Sequence, residues 1–212
     1  MLPKVLSLAF LGAGVFVLVQ VIMPIISFKL WEVSLNQQNT PLTSPNPNEQ
    51  QVLGVSVENQ NGFPAIVSNN NRLTPLPYKE FRISIPSLKL DDVKTVVETN
   101  DFEQNLAHMP GTALPGERGN VFLTGHSSLP QLFRAGNYKA IFARLPEIKK
   151  GDKIFVSAGG QKFTYTVLNL KVVDPKETSV INPPDSEGRY LTLMTCVPPG
   201  LYLKRLIVLA KL

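Results

Sequence analysis

The stretch at residues 190–209, YLTLMTCVPPGLYLKRLIVL, constrains the fold more than any other part of the chain. Two short hydrophobic runs, 190–196 and about 204–209, flank Val197-Pro198-Pro199-Gly200. Residues of this kind suit a pleated, buried surface, and the Pro-Gly segment breaks the pattern, so the stretch reads as two strands joined by a loop. The first strand ends on the only cysteine of the chain, Cys196, and the second opens with Arg205. A thiol and a guanidinium at facing strand ends place a nucleophile beside a fixed positive charge. Nucleophilic catalysis also needs a proton carrier, and His126 in Thr124-Gly125-His126-Ser127-Ser128 is the candidate. The competing reading is that Cys196 only packs, since free cysteine is among the most buried residue types.

Residues 5–28 form an apolar run without a charged residue, preceded by Lys4 and followed by Lys29. At about 1.5 Å of rise per residue a helix of that length crosses a hydrocarbon core of roughly 30 Å. The apolar part of a cleaved leader is shorter, about 7–15 residues, and ends at small residues. Ile25-Ile26-Ser27-Phe28 is a poor cleavage site. The expectation is an uncleaved single-pass anchor over 1–30, with the N-terminus cytoplasmic and the rest of the chain outside. Pro24 is expected to kink or end the helix.

Composition changes abruptly after the anchor. Residues 31–77 carry Asn-Gln-Gln-Asn-Thr, Ser-Pro-Asn-Pro-Asn-Glu-Gln and a run of three asparagines. Such a segment buries too little apolar surface to fold alone and reads as a polar tether. Two apolar patches around Asn61-Gly62, a hairpin turn signal, make extra strands within 52–67 an open alternative, and a lid a further one. From residue 78 the pattern is β-rich. Strands are expected at 81–85, 94–98, 120–124, 153–157 and 162–173, the last two joined by Gly159-Gly160. Asn100 and Glu103 suit a capping box, which predicts a short helix over 101–107. Tyr138, Ile141, Phe142 and Leu145 fall at i, i+3, i+4 and i+7, which predicts an amphipathic helix over 136–145. Residues 174–189 read as a long polar loop. Seven to eight short strands with two short helices predict a mainly β domain, a closed barrel, over 78–212.

The wording around the three candidate residues carries a family resemblance. Thr192-Leu193-Met194-Thr195-Cys196 and Arg205-Leu206-Ile207-Val208 resemble the TLxTC and RLIV segments of sortases. Gly119-Asn120-Val121 and Gly125-His126 resemble that family's histidine segment, and the order His, Cys, Arg agrees. The resemblance covers about 81–212 and says little about the first 77 residues. It implies a sortase-type barrel and a cysteine transpeptidase. Val197 after the cysteine and the unusual tether leave the class open, with a D- or E-like member the expectation. In such an enzyme Cys196 is the nucleophile, His126 the general acid and then base, and Arg205 the oxyanion stabiliser or substrate clamp. Thr195, through its backbone or hydroxyl, adds a substrate-binding donor. No carboxylate is expected behind His126. The implied partners are secreted proteins with a C-terminal sorting signal, an amine of the cell envelope or of a pilin subunit, and the membrane.

Other residues are weighed against that reading. His108, before Pro110-Gly111, is expected to be structural. Ser127 and Ser128 lack a nucleophile elbow. Asp174, Glu177, Asp185 and Glu187 have the oxygen ligands calcium takes, but their spacing matches no loop motif, so they read as solvated surface carboxylates; no cofactor is expected, and calcium stays the weakly supported alternative. The net charge of +5 is scattered with no basic run, which argues against nucleic acid as a partner. Two alternatives remain. An L,D-transpeptidase also orders His before Cys, but would carry a Ser-His-Gly-Cys-like cluster at the nucleophile. A membrane-anchored extracellular β-domain with a binding role would keep Cys196 as a structural residue.

Overall fold

A long uncharged run satisfies its backbone polar groups most simply by forming a helix. Helix α1 (Leu2–Gln38, 37 residues) covers the whole of that run. The computed structural model describes residues 2–38, 56–60, 63–67, 75–129, 133–134 and 136–212. The chain divides into two units, Met1–Gln38 and Asn39–Leu212. Pro24 does not end α1. The helix continues through residues 31–38, which composition alone placed in the tether. Its continuation is supported by the Lys29–Glu32 ion pair at 2.8 Å and by Ser34 Oγ donating to the Trp31 carbonyl at 2.7 Å. Among the described residues no helix is long and apolar enough to cross a membrane.

Of the tether, two strands are described. β1 (Ser56–Gln60) and β2 (Phe63–Val67) pair antiparallel from Ser56↔Val67 to Gln60↔Phe63, leaving a two-residue connection at Asn61-Gly62. The pairing supplies strands within 56–67, while Asn61 and Gly62, which carry the turn signal, and the patch at 52–55 lie outside the described residues.

The remaining eight strands close into a barrel. They are β3 (Glu80–Ile85), β4 (Leu90–Val96), β5 (Leu106–His108), β6 (Gly119–Thr124), β7 (Lys153–Ala158), β8 (Gln161–Val173), β9 (Arg189–Val197) and β10 (Lys204–Lys211). Around the barrel the order is β10-β8-β7-β3-β4-β5-β6-β9. Pairs β4–β5 and β6–β9 are parallel and the other barrel pairs antiparallel. The interior is built by alternation: Ile154, Val156 and Ala158 of β7 point inward between exposed Lys153, Phe155 and Ser157. Ile83, Ile85, Tyr165, Leu193 and Val208 are likewise fully buried. Gly159 and Gly160 join β7 to β8 with φ of 57° and 79°, the left-handed conformations that a tight hairpin turn requires.

Neither predicted helix forms as an α-helix. In 101–107 the Asp101 carboxylate accepts the Glu103 N–H at 3.0 Å, and Asn105 Nδ2 donates to the carbonyls of Asp101 and Leu106. These local side-chain bonds compete with the helix ladder, and the chain passes by bends into β5. In 136–145 the chain makes 3-10 turns at Tyr138–Ala140 and Leu145–Glu147. The Phe142 N–H donates to the His126 carbonyl at 3.0 Å and so is lost to any α ladder, and Pro146 offers no N–H. Ile141, Phe142 and Leu145 are nonetheless buried, as the periodicity predicts.

Candidate active site

β9 is the centre of the site because it has a neighbour on each side that carries one of the other two residues. On one side it pairs antiparallel with β10, and Cys196 stands directly opposite Arg205. Directly opposed residues point to the same face of a sheet. On the other side β6 runs parallel with a constant offset of 70 residues, from Gly119↔Arg189 to Thr124↔Met194. Beyond the strand, Thr195 Oγ1 donates to the Gly125 carbonyl at 2.8 Å, which continues the same offset. His126 therefore leaves the sheet level with Cys196. The structure brings together His126, Cys196 and Arg205 from three adjacent chain segments.

Gly125 is required where it stands. A Cβ on it would meet Leu106 Cδ2 at 2.5 Å and Phe142 Cδ2 at 2.8 Å, both on fully buried side chains. The chain can turn from β6 into the His126 loop only past a bare Cα. The Phe142 N–H then fixes the His126 carbonyl from outside.

The thiol itself is fully buried. Cys196 shares an apolar cluster with Met109, Phe122, Ile181, Met194 and Ile207, and Phe102 and Val180 pack over it. Burial pushes its pKa up to about 11, against the opposing pull of the Arg205 guanidinium. Arg205 is 2% exposed, and its Nη1 donates to the carbonyls of Lys204 at 3.0 Å and Tyr202 at 3.3 Å. Two backbone carbonyls of its own strand entry thus hold the guanidinium. His126 is partly exposed. Its ring lies 4.4 Å from the Phe102 ring, and Nε2 is 3.3 Å from Glu103 Oε1. The expectation that no carboxylate stands behind His126 is therefore corrected. The two residues are 23 positions apart, and nothing in the local pattern links them.

Residues 83–212 match the Sortase domain family model. The chain belongs to the sortase family. It is 30% identical over 101 residues to a sortase D of Bacillus subtilis, a stretch that is 48% of this chain and 45% of the relative. The chain thus spans about half the length of that curated relative or less. Among solved structures it resembles sortase C-1 from Actinomyces oris, with 32% identity, a TM-score of 0.54, and coverage of 62% of this chain and 72% of that one. It also resembles the Clostridium perfringens sortase D5 transpeptidase, with 26% identity, a TM-score of 0.53, and coverage of 63% and 78%.

The other sequence candidates fall outside the trio of this sortase. Thr195 is fully buried, and its hydroxyl is committed to the Gly125 carbonyl, which leaves only its backbone for a substrate. His108 is also fully buried. The Glu98 N–H donates to its Nδ1, so Nε2 carries the hydrogen, which reaches the Ala113 carbonyl at 2.9 Å and Thr112 Oγ1 at 3.0 Å. It ties β5 to the loops on either side of it. Ser127 is buried beside His126 and Ser128 is half-buried. The four carboxylates named for calcium are spent separately. Asp174 faces Lys204, Glu177 accepts from Ser179, Glu187 pairs with Arg118, and Asp185 accepts the Tyr190 hydroxyl, whose pKa is pushed up to about 12. Among the described residues no group of three or more His, Cys, Asp or Glu side chains is gathered as a metal site.

Proposed function

We propose that this protein is a cysteine transpeptidase that cleaves a sorting signal on secreted proteins and passes the acyl part to an amine of the cell envelope or a pilin subunit. The observation that carries it is the meeting of Cys196, Arg205 and His126 on three adjacent segments. At neutral pH the buried thiol holds its proton. On attack, Sγ bonds to the scissile carbonyl carbon and its proton passes to His126. His126 then protonates the leaving amine as the C–N bond breaks, giving a thioester on Cys196. An incoming amine attacks the thioester, gives a proton to His126, and the thiol is restored. Arg205 faces the negative charge that grows on the carbonyl oxygen in both halves. Its planar fork, fixed before the reaction starts, stabilises that charge more than the neutral ground state. In this reading the Thr195 backbone is the remaining donor for the same oxygen, since its hydroxyl is engaged by the Gly125 carbonyl.

Anchoring is part of the proposal. The support is the uncharged run 5–28 and the apolar side chains exposed along α1, among them Phe10, Leu11, Phe16 and Leu30. An uncharged run of this length has membrane as its usual surroundings, and the proposal rests on that run in the sequence, since among the described residues no helix is long and apolar enough to cross a membrane. The proposed arrangement is a single pass with the N-terminus cytoplasmic, 1–30 as anchor, 31–77 as tether and 78–212 as catalytic domain outside. A second reading has one observation in its favour. Cys196 is fully buried in an apolar cluster, as a structural cysteine would be in an anchored β-domain that binds a partner.

Mass spectrometry of the protein incubated with a panel of candidate sorting peptides separates the two. The transpeptidase reading expects an acyl adduct on Cys196 that disappears when an amine is added, and none on Cys196→Ala. Peptide–amine joining by Cys196→Ala would overturn it. Peptide binding without any adduct would establish the β-domain reading.

A further inference from the structure

We propose that Glu103 is the positioning residue that fixes which nitrogen of His126 exchanges protons with Cys196, an inference that rests on the transpeptidase reading. The carboxylate oxygen Oε1 lies 3.3 Å from His126 Nε2. A carboxylate only accepts hydrogen bonds, so Nε2 carries the hydrogen in that pair. In neutral imidazole the other nitrogen is then the basic one. Glu103 thus selects the Nε2–H tautomer and assigns proton exchange with the thiol to Nδ1. The acid–base residue of a nucleophilic pair is turned to its task in the same way wherever a third group orients it.

Glu103 is itself held from several directions. Its other oxygen, Oε2, lies 3.7 Å from Lys139 Nζ on the 3-10 turn at Tyr138–Ala140. Its N–H is taken by Asp101 Oδ1, and the Asp101 N–H by Thr99 Oγ1, each at 3.0 Å. The loop is closed at its base by the Thr99 N–H donating to the His108 carbonyl at 3.0 Å. The neighbouring Phe102 stacks on the His126 ring at 4.4 Å, tilted by 56°, and also packs over the cluster that contains Cys196. One short loop therefore sets the ring plane through Phe102 and the tautomer through Glu103. The segment that was expected to be a helix is irregular because its side chains are spent on this loop.

The test uses the full chain and the variants Glu103→Ala and Glu103→Gln. Ring nitrogen NMR of His126 at mildly alkaline pH reads the tautomer without requiring activity. The wild type should show Nε2–H as the dominant form, Glu103→Ala a mixture, and Glu103→Gln, whose amide oxygen still accepts, a form close to wild type. Adduct formation with a peptide substrate should fall about tenfold in kcat for Glu103→Ala with KM little changed, on the scale of losing a partner that orients an imidazole. Glu103→Gln should recover part of that loss, which a merely structural role would not produce. Thermal unfolding of both variants checks that the barrel stands. An unchanged tautomer, or a kcat for Glu103→Ala within twofold of wild type, overturns the proposal. If the wild type forms no adduct, the transpeptidase reading fails, and the tautomer measurement still decides the role of Glu103.

Discussion

Half of the site is carried by strands and half by loops, and the two halves differ in how tightly they are held. Cys196 and Arg205 face each other inside a pairing that runs unbroken from Lys204↔Val197 to Lys211↔Tyr190, and both side chains are almost wholly buried. His126 stands two residues past the end of β6 with its side chain 21% exposed, and its carboxylate partner is 61% exposed. On the proposed chemistry this division matches the two tasks. A group that stabilises developing charge contributes most when it need not reorganise, which a sheet guarantees. A proton carrier must meet the thiol, the leaving amine and the incoming amine in turn, and a loop past a strand end permits small adjustments.

The largest effect should come from loosening the rigid half while keeping its charge. Arg205→Lys retains a cation but loses the fork and its two backbone carbonyl partners, Lys204 and Tyr202. The loss of one oriented oxyanion interaction is worth roughly a hundredfold to a thousandfold in rate. Thioester formation by Arg205→Lys should fall by that amount, with the unfolding midpoint close to wild type. A near-normal rate would show that charge alone matters and that the rigidity of this half has no catalytic use.

The strand-borne half was also the legible half. Alternation, the Gly159-Gly160 turn and the Pro-Gly break at 198–200 placed seven of the eight barrel strands because each signal is local; β4 begins four residues earlier than expected, and β5 falls in and just beyond the segment expected to be a helix. Cys196 and Arg205 could be paired on paper because a loop between two short strands fixes their register. Of the loop-borne half only His126 was legible. Glu103 looked like a capping residue, and the competition from Asp101 and Asn105 decides the matter only in three dimensions. The helix over 136–145 has the right apolar periodicity, yet its Phe142 N–H is drawn away by His126, a residue 16 positions earlier. Periodicity reports which side chains are buried. It does not report where each backbone donor goes. The burial of Cys196 was legible only as the competing reading, because part of the cluster around it comes from Met109, Ile181 and Phe102 in separate segments.

That burial gives a second way to probe the rigid half. The Cys196 pKa stands at about 11 instead of 9, so alkylation should be slow near neutrality and should accelerate through about pH 11. Folding is linked to the same proton. The folded pKa lies above the unfolded one, so the contribution to stability is complete below pH 9 and is lost as pH rises from 9 to 11. Two units correspond to about 3 kcal/mol. Chemical denaturation as a function of pH should show this decline in wild type and not in Cys196→Ala. Tyr190 and Tyr165, both raised, add declines of the same sign that remain in the variant. An alkylation profile that levels off near pH 9 would mean that the thiol is solvated and the closed cluster is not its resting state.

The smallest effect should distinguish damage to the loop half from damage to the barrel in general. Gly125→Ala puts a Cβ within 2.8 Å of both Leu106 and Phe142, and neither side chain has room to swing away. Forcing a methyl group into such packing costs roughly 1–3 kcal/mol. The cheapest relief is a shift of the segment that follows, which carries His126. Gly116→Ala is the comparison. It also clashes, with Phe163 at 2.4 Å, and it strains a residue at φ +87°, but it lies in the turn before β6 and away from the trio. Both variants should unfold at lower denaturant than wild type by similar amounts. Only Gly125→Ala should also lose kcat, by a few-fold. Equal losses of kcat in the two glycine variants would show that the His126 loop responds to any disturbance of the barrel, and the separation of the site into a rigid and an adjustable half would be abandoned.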